Sequence, residues 1–193
     1  KDSPLHEIAV SKPWKGRIPF NMAWSPDSRR LAIVYGLEPF VEVLDGKSLG
    51  RISVPDVTGM KQEIYSLAFA AKGNRLMAGG RFNRGKTIVR AWDDNGLGKV
   101  TDLETLTNTI FDLVSLDDGS MLFGTADPGW GRIDPELRVK PVRSSQRLDL
   151  RQGAAELAVN EDATLIRFQG GSGPMFSLGA MAYTSEGKTP FAA

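Results

Sequence analysis

The sequence predicts an all-β fold, a β-propeller made of about four four-stranded antiparallel blades. One short sequence motif recurs four times along the 193 residues: an apolar pair, a tight polar turn and a continuous apolar run. The leucines that follow the four turns are 45, 46 and 43 residues apart, at Leu31, Leu76, Leu122 and Leu165. A repeat of this length that consists of short strands and turns is typical of propeller blades.

The first copy of the motif carries four strand signals in order. An inner strand is expected at 21–24, followed by a turn in which Pro26 presets one dihedral angle. The apolar run 31–35 suits a strand that is buried on both faces. A third strand is expected at 40–44 and an outer one at 49–54. In the outer strand Ile52 and Val54 alternate with polar residues, and we expect only the polar side to meet water.

The other copies repeat this order. Third and fourth strands are expected at 87–92 and near 98–101, at 130–133 and 137–140, and at 174–178 and 181–184. The blades then span about 20–55, 63–102, 110–141 and 154–184 of a single domain, 1–193. Small residues after each second strand, such as Gly79 and Gly80, are expected to let neighbouring backbones approach closely.

Two stretches also fit a helical pattern. In 101–113 the residues Leu103, Leu106, Ile110 and Leu113 fall at helical spacing. Residues 144–159 show a weaker version of the same pattern. A short helix in either place is one interpretation, and an inter-blade loop followed by an inner strand is the other.

Composition limits the classes of function. There are 24 basic and 23 acidic residues, so the net charge of +1 gives no broad field for nucleic acid. No apolar stretch approaches the ~18 residues that span a bilayer. Cysteine is absent and His6 is the sole histidine, so the sequence predicts no disulfide, zinc site or Ser-His-Asp triad. The compartment is not decided by these features, although the cytoplasm is favoured over the periplasm.

The second copy resembles a WD-repeat unit. The resemblance rests on the run Ile64-Tyr65-Ser66-Leu67-Ala68-Phe69, on Leu76-Met77-Ala78-Gly79-Gly80, and on Ile88-Val89-Arg90-Ala91-Trp92-Asp93. The pair Trp92-Asp93 stands where the Trp-Asp pair of that family ends the third strand. The first turn, Trp24-Ser25-Pro26-Asp27-Ser28, is similar to the turn shared by WD repeats and YVTN/TolB-like propellers. The chain is therefore identified as a diverged member of this group.

The sequence departs from the WD pattern in two ways. The other copies show Leu44-Asp45, Ile133-Asp134 and Leu178-Gly179 in place of Trp-Asp, and the Gly-His pair is missing. The buried His-Ser-Trp-Asp network of the family is therefore not expected. The resemblance also implies a ring of seven blades, which requires roughly 300 residues. We therefore expect these residues to be part of a ring completed by further sequence or another chain, with residues 6–10 as an outer strand. A four-bladed ring is the alternative.

The resemblance implies a non-catalytic scaffold or sensor module that binds proteins, as in bacterial propellers that form part of larger proteins with effector domains. The expected partners are a protein, the remaining blades or an effector domain, with no nucleic acid, membrane span, metal or cofactor. The alternative is the propeller domain of a hydrolase or peptidase, or an enzymatic, lactonase-like propeller. Acidic pairs such as Asp93-Asp94 and Asp117-Asp118 fall in turns, where aspartate is favoured for backbone reasons.

The candidate binding surface is the rim where the loops between second and third strands gather with the loops between blades. Arg and Trp are enriched among residues that dominate binding energy. The candidate residues on this rim are Arg81, Phe82, Arg84, Lys86, Asp127 and Trp130. In the alternative interpretation the charges are only solvated, and Trp130 packs on its own blade.

Overall fold

The computed structural model describes residues 9–35, 38–60, 63–72, 74–81, 87–105, 108–126, 129–142, 154–159, 165–170, 181–184 and 191–192. In these ranges the chain forms four separate sheets, each of four antiparallel strands in sequence order. The predicted all-β architecture of four-stranded blades is thereby confirmed. Among the described residues, no helix has the length and apolar character to cross a bilayer.

The first sheet consists of β1 (Pro19–Trp24), β2 (Arg30–Tyr35), β3 (Val41–Asp45) and β4 (Arg51–Ser53). The predicted turn after β1 is present. Within it the Ser25 hydroxyl donates a hydrogen bond to the Asp27 carboxylate at 2.6 Å. Residues 31–35 of β2 are buried throughout, as expected of a strand between two covered faces. A 3-10 turn, Trp14–Gly16, precedes the sheet.

The prediction for the outer strand of the first sheet was wrong about its buried side. Ser53 is buried in β4, whereas Ile52 and Val54 are exposed. The pairing of β3 with β4 shifts register between Val43 and Leu44, so that Ser53 lies opposite Val43. Because strand side chains alternate between faces, this shift by one residue turns the apolar side of β4 outward.

The second sheet consists of β5 (Ile64–Phe69), β6 (Leu76–Gly80), β7 (Ile88–Trp92) and β8 (Val100–Glu104). Its 3-10 turn, Asp94–Gly96, joins β7 to β8. The helical interpretation of 101–113 was wrong, since β8 and the first strand of the next sheet occupy the described part of that stretch.

The third sheet consists of β9 (Ile110–Ser115), β10 (Met121–Thr125), β11 (Trp130–Ile133) and β12 (Val139–Val142). The outer strand begins two residues later than the predicted 137–140. Leu137 has a left-handed φ of 64° and therefore belongs to the turn. Its N–H donates to the carbonyl of Asp134 at 2.9 Å, which closes that turn.

The fourth sheet consists of β13 (Ala154–Val159), β14 (Leu165–Gly170), β15 (Met181–Thr184) and β16 (Phe191–Ala192). The strand predicted at 181–184 is present as β15, but it is the third strand of the sheet and not the fourth. The third strand is β15, because Met181 pairs with Phe168 of β14, and the outer strand is β16. Residues 174–178 lie outside the described residues.

Two smaller predictions concern other segments. The described part of 144–159 is the strand β13, so the helical interpretation was wrong there, and 144–153 lie outside the described residues. In the predicted strand 6–10, only Ala9 and Val10 are described, and they belong to no strand.

Successive sheets stack through their inner strands: β1 contacts β5, β5 contacts β9, and β9 contacts β13. One apolar cluster joins the first sheet to the second and includes Val34, Val43, Leu67 and Phe69. A second cluster joins the second sheet to the third and includes Met77, Ile110 and Phe123. Burial in these two clusters therefore depends on the neighbouring blade, as in other repeat arrays. A third cluster, Leu31, Ile33, Tyr35 and Leu44, lies on the first sheet and is covered by Trp14, Phe40 and Leu49.

A neighbouring backbone approaches Gly80 closely, as predicted, whereas the close neighbour of Gly79 is a side chain. A Cβ on Gly79 would lie 2.6 Å from the Ile110 side chain of the third sheet. A Cβ on Gly80 would lie 2.1 Å from the carbonyl of Glu63. Both positions therefore exclude larger residues unless the backbone moves.

Candidate binding rim

The candidate site lies at one end of the stacked sheets, where the chain enters each inner strand and where the loops from second to third strands gather. Every inner strand has a register irregularity close to this end, after Pro19, Ile64, Ile110 and Ala154. A bulge leaves one extra residue and re-aims its side chain. In the first three sheets the extra residue is aromatic: Phe20, Tyr65 and Phe111.

A cavity of about 520 Å³ opens at this end between the first and second sheets. The residues that line it come from the segment before β1, from the start of β1 and from the entry into β5. They are Gly16, Arg17, Ile18, Pro19, Phe20, Glu63 and Tyr65. The Phe20 and Tyr65 rings lie 5.5 Å apart at 44°, and Phe20 is 57% exposed. The cavity therefore has an apolar wall that water reaches.

Charged groups of both signs surround the aromatic pair. Arg17 donates to the Glu38 carboxylate at 2.6 Å. Glu63 accepts a hydrogen bond from the Tyr65 hydroxyl at 2.5 Å, and its second neighbour is the Arg81 guanidinium at 3.6 Å. Burial and, next, the hydrogen bond to Glu63 raise the pKa of the Tyr65 hydroxyl above its ordinary value of 10.0. The phenol is therefore a neutral donor at physiological pH.

A polar bond between the first two inner strands positions the cavity walls. The Asn21 amide donates to the carbonyl of Tyr65 at 3.1 Å. The equivalent residue of the second sheet, Ser66, donates to Asp112 of the third sheet at 3.4 Å. These bonds fix the spacing of β1, β5 and β9, and hence the spacing of the aromatic residues next to them.

The structure brings only part of the predicted site together. Arg81 lies on the rim beside Glu63, and its side chain is 61% exposed. Trp130 begins β11 and is 3% exposed, with its indole N–H buried and without a hydrogen-bond partner among the described residues. Phe82, Arg84, Lys86 and Asp127 lie outside the described residues. A binding role for these six residues stays a prediction.

Sequence reasoning missed Phe20 and Tyr65. Their signal was present, because Phe20, Tyr65 and Phe111 recur at the same steps of 45 and 46 residues as the marker leucines. Within the described residues, no three acidic or histidine side chains come together as a metal site requires.

The chain is similar in structure to several solved propellers. It superposes on U3-55K with a TM-score of 0.67 and 16% identity, covering 88% of this chain and 47% of that one. For the WD40 repeats of RRP9 the TM-score is 0.66, with 16% identity over 88% of this chain and 46% of that one. For the hydrazine synthase of Kuenenia stuttgartiensis the TM-score is 0.70, with 13% identity over 91% of this chain and 49% of that one.

No protein-family model matches the chain, and no curated protein matches it in sequence. The chain spans somewhat less than half the length of the three solved structures. At these identities the likeness shows the fold alone. The chain thus has the β-propeller fold found in WD40-repeat structures, with four blades in the described residues.

Proposed function

We propose that this chain is a non-catalytic scaffold that binds a segment of another protein at the rim between its first two blades. The observation that carries the proposal is the cavity with Phe20 and Tyr65 on its wall. An exposed aromatic beside a cavity offers a partner a large apolar contact at a small cost in side-chain entropy. The stacked sheets hold that contact in a fixed position.

The charged groups around the cavity support a protein partner. The pairs Arg17–Glu38 and Glu63–Arg81 are partly exposed, and such surface pairs stabilise a fold by only about 0–1 kcal/mol each. Their exchange for charges on a partner therefore costs little. Because both signs are present, the rim suits a segment of mixed charge rather than a polyanion.

The expected partner segment has one large apolar side chain followed by polar or charged residues. The apolar side chain enters the cavity against Phe20, and a backbone carbonyl or a carboxylate of the segment pairs with Arg17 or Arg81. Phe82, Arg84 and Lys86, which follow Arg81 in the sequence, extend the predicted contact along the same loop.

The test is capture of partners from native extract by the tagged natural polypeptide, measured by quantitative mass spectrometry. Phe20→Ala is compared with Leu97→Ala, which removes a side chain of similar exposure at the opposite end of the blades. We expect Phe20→Ala to reduce recovery of the bound protein about tenfold, which corresponds to about 1.4 kcal/mol, and Leu97→Ala to leave it unchanged.

Equal recovery with both variants would contradict binding at this rim. Turnover of a small substrate by the purified protein would contradict the non-catalytic part of the proposal and favour the alternative of an enzymatic propeller.

A further inference from the structure

Two charged side chains line the cavity at the rim, and their charges are compensated to different degrees. Among the described lining residues, Arg17 is the one cation and Glu63 the one anion. The Glu63 carboxylate accepts a hydrogen bond from the Tyr65 hydroxyl at 2.5 Å and lies 3.6 Å from the Arg81 guanidinium. The charge of Glu63 therefore already has both a hydrogen-bond donor and a counter-ion.

The Arg17 guanidinium, in contrast, has donors to spare. Among the described residues it makes one hydrogen bond, from Nη2 to Oε1 of Glu38 at 2.6 Å. A guanidinium carries five N–H donors in a planar fork, and that fork matches the two oxygens of a carboxylate. Arg17 can therefore bind a second carboxylate while it keeps its bond to Glu38.

Contacts within its own segment hold Arg17 in place before a partner binds. Its N–H donates to the Trp14 carbonyl at 2.9 Å, and its guanidinium lies 5.7 Å from the centre of the Trp14 ring. That ring stacks on Phe40 at 3.7 Å, which ties the segment to the first sheet. The Arg17 side chain is only 32% exposed. A guanidinium that is already ordered and partly shielded from water binds an anion at a smaller entropic cost and in a lower dielectric.

The described charges beside the cavity leave one positive group in excess. Arg17 and Arg81 each have a carboxylate partner, in Glu38 and Glu63 respectively. Lys15, which precedes the lining segment, lies 4.5 Å above a neighbouring indole ring and has no carboxylate partner within the described part of the chain. Excess positive charge next to an apolar cavity complements a partner segment that is both apolar and acidic.

We propose that Arg17 selects the partner by binding an Asp or Glu that follows the apolar residue in the cavity. Arg17 and Phe20 are three residues apart, so their Cα atoms lie within about 11 Å of each other. An acidic residue one to three places after the apolar one spans that distance. The proposal rests on the proposed function of the rim and adds the chemistry of the residue next to the apolar side chain.

The experiment measures binding of labelled synthetic peptides to the full natural polypeptide by fluorescence anisotropy. Each peptide carries one Phe in a Gly-Ser chain with both ends blocked, and an Asp one, two or three places after the Phe. The matched peptides carry Asn in place of Asp. Arg17→Gln is compared with Arg81→Gln, because Arg81 lies on the same rim and has the same charge but does not line the cavity.

We expect at least one Asp peptide to bind about tenfold more tightly than its Asn counterpart, because a charge-assisted pair with Arg17 is lost in the amide. Arg17→Gln should reduce that ratio to less than about twofold, and Arg81→Gln should leave it above about fivefold. The ratio is the deciding measurement, since a purely structural role of Arg17 would weaken the binding of Asp and Asn peptides alike.

Three results would overturn the proposal: no saturable binding of the Asp peptides, equal affinities for the Asp and Asn peptides, or a ratio that Arg17→Gln leaves unchanged. If the affinities are equal but are lost in Phe20→Ala, the rim still binds apolar segments and only the role of Arg17 fails. Binding that Phe20→Ala leaves unchanged would instead contradict the proposed function itself.

Discussion

The first and second sheets carry a charge of opposite sign at the same place in their third strands. Glu42 of β3 lies opposite Ile33, and Arg90 of β7 lies opposite the equivalent Ala78. Both charged side chains are buried, and each forms an ion pair with a residue of the fourth strand. Glu42 pairs with Arg51 at 2.8 Å, and Arg90 pairs with Asp102 at 2.6 Å.

The two charges differ in how they hold the incoming chain. Arg90 donates directly to two carbonyls of the linker from the preceding blade. Glu42 accepts from the Tyr35 hydroxyl, and that hydroxyl in turn accepts from the Trp14 N–H. In both sheets the charged residue at this position therefore helps to bind the incoming linker, and its sign matches the group it serves: Arg90 donates to carbonyls, whereas Glu42 holds the hydroxyl that accepts from an N–H.

The largest expected difference between the sheets comes from their covered and open faces. In the 193-residue chain, Leu67→Ala should lower the free energy of unfolding by about 2–5 kcal/mol, because it opens a cavity between two sheets. Met22→Ala, at the equivalent position of β1, where the side chain is 59% exposed, should change it by no more than about 0.5 kcal/mol. Urea denaturation of both variants measures this, and equal losses would show that the two faces are alike.

The next effect distinguishes the two buried charges. Arg90→Met keeps the side-chain length but removes the donor to the linker and to Asp102, so we expect a loss of about 2–3 kcal/mol. Glu42→Gln keeps one acceptor oxygen, which can serve Tyr35 or Arg51 but not both, and should cost about 1–2 kcal/mol. Thermal unfolding compares the two. If Glu42→Gln lowered the melting temperature more than Arg90→Met, the hydrogen bonds from Arg90 to the linker would not be the main source of its stabilising effect.

A smaller effect is expected at the closest approach between the second and third sheets. Gly79→Ala places a methyl group against Ile110 and should destabilise by about 1–3 kcal/mol through overpacking. Gly50→Ala is the control, because the nearest atom to its Cβ is the Ser48 hydroxyl oxygen, at 3.3 Å. If Gly79→Ala were as stable as Gly50→Ala, the two sheets would not be packed as closely as described.

The smallest expected effect is on the pH dependence of stability, and it concerns Asp45, which ends the third strand of the first sheet. Hydrogen bonds from the Ser48 N–H and hydroxyl and from the Lys47 N–H lower the pKa of Asp45 below its usual 3.8. Its contribution to stability is therefore complete above that value and is lost as the pH falls through the lower pKa of the folded state. Between about pH 5 and pH 2, Asp45→Asn should lose less stability than the parent chain. Parallel acid-unfolding curves would contradict this.

Much of the fold follows from local sequence signals. The strands β2, β7 and β11 were predicted within a residue or two, because turn residues and apolar runs mark them directly. The errors arose where the pairing of strands determines which side of a strand is buried or where a strand begins. The face of β4 depends on a register shift against β3, and the start of β12 depends on the left-handed conformation of Leu137.

The site was less predictable than the fold. Arg81 was expected on the rim because it follows a second strand. The cavity, however, depends on bulges that bring Phe20 of one sheet beside Tyr65 of the next, and bulge positions follow from pairing rather than from composition. Trp130 was expected to be available to a partner, yet the start of β11 is buried.

Amide hydrogen exchange of the 193-residue chain tests most directly whether each inner strand is protected by the blade before it. β1 and β5 have the same pairing, so any difference between them reports the cover over one face. We expect the amides of 20–24 to exchange at least about tenfold faster than those of 65–69, a difference of about 1.4 kcal/mol in opening free energy. Equal protection of the two strands would contradict the account.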